Sequence, residues 1–215
     1  MIIAQPVLEI YGSDDFTLWP VAETEPYGFL PLSDRLGPAE VGTAVMRIAD
    51  CNNVETEDDG RPPRPADPLG GFLHGLLTMD NLFAPGGLRI TDTATGATLL
   101  PGCCNGLEEW RDWFDVVDSR GWASFGHDPA PLAERHGDIV RLTVDAEQEN
   151  SPVIELPVGD LRRLLAGAER DLTGFLRPAA AWAARHLPEH AAPVTSALAR
   201  ALDLPAPAAP PAAGQ

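Results

Sequence analysis

The sequence predicts an α+β protein: a mostly antiparallel sheet built by residues 1–157, covered by helices, with a helical end over residues 158–204. Three observations lead there. Short β-type runs separated by Gly, Pro, Asn and Asp fill the first three quarters of the chain, two of the intervening segments carry helix-start signals, and from Asp160 onward the apolar residues recur at steps of three and four. Residues 1–204 are expected to form one α+β domain, followed by a disordered Pro/Ala tail over 205–215.

Taken in order, residues 1–10 are apolar with few breaks and predict a strand, while 14–38, rich in Pro, Gly and acids, predict a long packed loop. The β-branched content of 41–51 predicts a second strand. Residues 52–68 carry Glu55, Glu57, Asp58, Asp59 and four prolines, a composition that opposes regular structure and predicts a mobile loop. Asp67 suits an N-cap and Pro68 the first helical position; Leu69, Phe72, Leu73, Leu76 and Leu77 then predict a helix over 68–83, weakened by Gly70, Gly71 and Gly75.

Residues 88–92 and 97–100 flank a Gly-containing turn and read as a hairpin. Asn105 and Glu108 have the spacing of a capping box, ahead of a helix with Leu107, Trp110, Phe114 and Val117 on one face. Strands are expected over 122–125, 132–135, 139–145 and 153–156. The long helix from Asp160 uses Leu161, Leu165, Ala168, Leu172, Phe175 and Leu176, with Pro178 expected to kink or divide it, and a short helix over 193–202 closes the fold.

Charge narrows the range of partners. Residues 1–157 hold 27 acids against 9 arginines, the rest of the chain 5 against 6, and lysine is absent; the net charge is -17. Such a field repels nucleic-acid phosphates and anionic lipid and speeds encounter with a basic partner. No run approaches the ~18 apolar residues of a membrane span, and no export signal opens the sequence, so a cytoplasmic protein that binds neither membrane nor nucleic acid is expected. Phosphate-binding glycine loops, Gly-x-Ser-x-Gly elbows, His-Glu-x-x-His helices and dinucleotide fingerprints are absent, and the acidic stretch 50–67 lacks the ligand alternation of an EF-hand loop.

Two candidate sites remain. The first is the pair Cys103 and Cys104 just ahead of the predicted helix, followed by His127 and Asp128: a helix N-terminus favours thiolate, His127 is the candidate base, and Asp128 is placed to orient it. Three cysteines and no export signal predict reduced thiols. Cys51, Cys103, Cys104, His127 and His136 are zinc-type ligands, but they lack a paired spacing, and adjacent cysteines seldom both point at one tetrahedral ion; neither metal nor cofactor is expected. The second site is aromatic. Trp113 falls off the Leu107, Trp110, Phe114 stripe and is expected to be partly exposed, with Asp112, Asp115 and Asp118 as an acidic rim and Trp122 close by, an arrangement suited to a basic protein partner.

The segment GCCNGLEEW resembles the cysteine-containing helix start of NlpC-type peptidases, within the papain-like hydrolases, over fewer than a dozen residues. The resemblance implies a nucleophile at Cys103 or Cys104 and a histidine on a later strand; here His127 and His136 fall in predicted turns. The patterns PGCC-x-GLE-x-W-x-x-W and LRRLLAG-x-x-x-DLTGFL resemble small bacterial proteins of unassigned activity, which brings no catalytic residues. The expected function is that of a non-enzymatic interaction protein binding a basic partner, similar in size and charge to immunity proteins. The alternative is a thiol-dependent hydrolase or transferase using Cys103 or Cys104 with His127.

Overall fold

The protein is described from a computed structural model covering residues 1–12, 15–54, 60–118 and 121–205. Most of the predicted acidic loop's glutamates and aspartates, and nearly all of the Pro/Ala tail, lie outside the described residues.

Strand β1 (Ile2–Ile10) is followed by β2 (Gly28–Pro31), which lies within the segment expected to be loop throughout. Residues 41–51 form no strand; they belong to helix α1 (Pro38–Cys51). Its start is ordinary: Pro38 takes the first turn, and Glu40 Oε2 accepts the Gly37 N–H at 2.7 Å. Every residue from Val41 to Ala49 is buried, Thr43 and Arg47 included, and the helical period shows in Glu40, Thr43, Arg47 and Asp50, which recur at steps of three and four on one face. Helix α2 (Pro68–Thr78) begins as predicted, with Asp67 Oδ1 accepting the Gly70 N–H at 2.7 Å, but stops five residues short of the expected end. The hairpin forms from β3 (Gly86–Asp92) and β4 (Thr98–Leu99).

The predicted capping box does not form. Glu108 Oε2 accepts the Ala84 N–H at 2.9 Å, and Asn105 Nδ2 donates to the Gly86 carbonyl at 2.6 Å, so both side chains tie this segment to β3 and the residues ahead of it. A 3-10 turn (Leu107–Asp112) replaces the first part of the expected helix and leads into the short helix α3 (Trp113–Asp118). Strands β5 (Trp122–Ser124), β6 (Leu132–His136), β7 (Ile139–Thr143) and β8 (Val153–Pro157) follow. Helix α4 (Val158–His186) and helix α5 (Ala191–Ala201) complete the helical end.

The strands divide into two four-stranded antiparallel sheets, ordered β2-β1-β3-β4 and β5-β6-β7-β8. Each has its own apolar core. Leu8, Ile10, Val45, Ile48, Leu73 and Trp110 lie in the first; Leu88, Ile90, Trp113, Phe125, Val140 and Leu156 lie in the second. Strand β3 turns Leu88 and Ile90 toward the second core, and α4 joins the two. This 29-residue helix, about 44 Å long, sets Leu161, Leu165 and Ala168 into the second core and Leu172, Phe175, Ala179 and Trp182 into the first. It runs through Pro178 without dividing, because apolar packing on both sides of the proline outweighs one missing N–H donor. Among the described residues no helix is long and apolar enough to cross a membrane.

Candidate functional site

The segment 102–104 and the turn 126–129 are laced together by main-chain bonds. Cys103 N–H donates to the His127 carbonyl at 2.6 Å, His127 N–H donates back at 3.3 Å, and Gly102 N–H reaches the Phe125 carbonyl at 2.9 Å. So close an approach requires glycine. A Cβ on Gly102 would sit 2.2 Å from the Pro129 carbonyl oxygen, and one on Gly126, which has φ +99, would sit 2.6 Å from the Cys103 oxygen.

This lacing brings the Cys103 and Cys104 sulfurs and a His127 ring nitrogen within 4.8 Å of one another, all three residues exposed. The two sulfurs are 3.6 Å apart, and Asp128 Oδ2 lies 3.4 Å from His127 Nδ1. Cys103, Cys104, His127 and Asp128 therefore meet. Cys51, at the end of α1, and His136, at the end of β6, are not part of the group.

Neither Cys103 nor Cys104 stands at the start of a regular helix. The 3-10 turn begins at Leu107, three residues beyond Cys104, and a six-residue turn presents little dipole. The hydrogen bond to Cys104 and partial desolvation hold the Cys103 thiol above its ordinary value, so thiolate is disfavoured near neutral pH. Cys51 is further from reaction: burial pushes its thiol up to about 11.

Trp113 is not exposed. It is 2% accessible and stacks on Phe125, ring centroids 3.9 Å apart and planes within 8°. The segment buries more than one face, because it runs between the two cores. Trp110 fills the first core and donates to the Leu202 carbonyl at 3.1 Å, Trp113 fills the second, and Phe114 touches both. The aspartates consequently do not rim an aromatic anchor: Asp112 is exposed, Asp115 half-buried, and Asp118 is paired with Arg162. Trp122 is 56% exposed on the edge strand β5, opposite Glu134.

An acidic, aromatic recess lies elsewhere, at the end of β1. A cleft of about 400 Å³ is lined by Tyr11, Asp15, Phe16, Arg47, Asp50 and Phe72. Arg47 is 7% exposed and fully engaged: its guanidinium lies 4.0 Å above the Tyr11 ring, Nε donates to the Glu9 carbonyl at 3.1 Å, and Nη1 is 3.4 Å from Asp50 Oδ2. Phe16 and Phe72 pack with centroids 5.3 Å apart, and Tyr11 meets the exposed Tyr27 edge-on at 5.4 Å. Desolvation raises the Tyr11 hydroxyl above its ordinary value, with a smaller contribution from Glu9. None of these residues stands in a motif. Arg47 and Asp50 share a face only once 38–51 is read as a helix, and that was the available signal.

No family model matches this chain, and neither a curated protein nor a solved structure matches it.

Proposed function

We propose that this chain is a non-catalytic binding protein for a basic protein partner, acting as an accessory or immunity-type protein that covers positive charge. The observation that carries this reading is the cleft at the end of β1. Asp15 offers a carboxylate, Tyr11, Phe16 and Phe72 offer ring surface, and Asp50 offsets the Arg47 charge, so the cleft keeps a net negative charge. A lysine or arginine side chain gains from both features, a carboxylate for its head and apolar rings for its stem. The charge of -18 carried by residues 1–157 supports the same reading, since it draws a basic surface toward this part of the molecule. The raised Cys103 thiol weighs against the thiol-enzyme alternative, and the His127 ring nitrogen within 4.8 Å of both sulfurs weighs for it.

Fluorescence anisotropy with a labelled arginine-rich peptide tests the proposal. Binding should weaken as salt rises past about 0.15 M, where the Debye length falls to ~8 Å. The substitutions Asp15→Lys and Asp50→Asn should each weaken it at least tenfold. Equal affinity for the wild type and both variants would remove the cleft as the binding surface.

A further inference from the structure

We propose that Cys103, Cys104 and His127 form a surface site for a single zinc ion, held by three protein ligands with the fourth position open. The donor set is suited to it: thiolate sulfur and imidazole nitrogen are the preferred ligands of this borderline-soft cation. So is the spacing. Two sulfurs bound at ~2.3 Å to one tetrahedral ion stand roughly 3.8 Å apart, and the Cys103 and Cys104 sulfurs stand 3.6 Å apart. Adjacent cysteines ordinarily diverge. Here Cys104 adopts φ +65, and the backbone bridge between Cys103 and His127 fixes the histidine opposite the pair.

The surroundings reinforce the assignment. Asp128 Oδ2 lies 3.4 Å from His127 Nδ1, and an outer carboxylate of this kind commonly orients a metal-bound imidazole. The laced backbone sets the ligands before any ion arrives, so little ordering is needed on binding. Because all three residues are exposed, the ion is exchangeable, unlike one enclosed in a structural site. Zinc displaces one proton from each thiol; both protons leave to solvent, and no oxidation is involved.

The test uses the full chain, reduced and stripped with a chelator, titrated with zinc alone against a chromophoric competitor and, separately, with cobalt as a spectroscopic stand-in. One equivalent should bind, and the cobalt form should show sulfur-to-metal charge transfer with tetrahedral d–d bands. Cys103→Ser and Cys104→Ser should each weaken zinc binding at least tenfold and reduce the charge-transfer intensity. His127→Ala should weaken binding while leaving the melting temperature of the metal-free protein unchanged, which separates ligand loss from misfolding. Cys51→Ser should have no effect. Absence of binding in the wild type, binding indifferent to Cys103 and Cys104, or binding lost in Cys51→Ser would each overturn the assignment.

Discussion

Replacing Trp113 by alanine separates a core residue from a surface anchor, and the structure fixes the size of the effect. Trp113 is 2% exposed and stacked on Phe125 at 3.9 Å within the second core. Truncating a buried Trp to Ala typically costs 3–5 kcal/mol, and about 4 kcal/mol is expected here, including the lost ring stacking. For a chain of this length, 1 kcal/mol shifts the melting temperature by roughly 2–4 °C, so Trp113→Ala should melt about 8–16 °C below the wild type. Trp122→Ala is the control: that ring is 56% exposed, and its removal should stay within about 0.5 kcal/mol. Differential scanning calorimetry on the three proteins measures both. If Trp113→Ala melts within about 2 °C of the wild type, the division of the apolar residues into two cores on either side of this segment is wrong.

Three further outcomes follow from local geometry. Gly75→Ala should destabilise by at least ~1–3 kcal/mol by denaturant titration, because its Cβ would sit 1.7 Å from the Asn52 carbonyl oxygen, whereas Gly167→Ala, with only Arg170 Nη2 nearby at 3.8 Å, should gain up to ~1 kcal/mol from helix propensity. Burial raises the Glu108 carboxyl above its ordinary value; a raised folded-state pKa contributes stability that is present below the unfolded value and lost as pH rises through the folded one, so Glu108→Gln should raise the melting temperature at pH 7 relative to wild type and lose that advantage in acid. Cys51, with its thiol near 11, carries on the order of one part in a thousand thiolate at pH 8 and should resist iodoacetamide until the protein is denatured, while mass spectrometry should find the exposed Cys103 and Cys104 labelled in the native state.

Legibility of the fold depended on whether an element shows one face to water. Strands β7 and β8 bury Val140, Leu142, Ile154 and Leu156 in alternation with exposed residues, and α4 keeps its polar side, so their periods were plain in the sequence. Helix α1 carries a polar stripe of Glu40, Thr43, Arg47 and Asp50, but its β-branched content points to a strand, whereas the 107–118 segment is enclosed by two cores and shows no single stripe. The group of Cys103, Cys104, His127 and Asp128 was legible as residue types, but not as a set of converging donors. That depends on the positive φ of Cys104 and on two glycines allowing a backbone contact across 23 residues, which no spacing rule encodes. The cleft was invisible because Tyr11 on the chain after β1 and Arg47 on α1 meet only through the tertiary fold.

The most direct measurement of the central claim is a two-dimensional ¹H–¹⁵N NMR titration of the labelled protein with the unlabelled arginine-rich peptide. Binding at the cleft at the end of β1 requires the largest amide shifts to cluster on Tyr11, Gly12, Asp15, Arg47, Asp50 and Phe72. Shifts centred on Trp122 and the β5 edge, or spread evenly over the acidic surface, would contradict it.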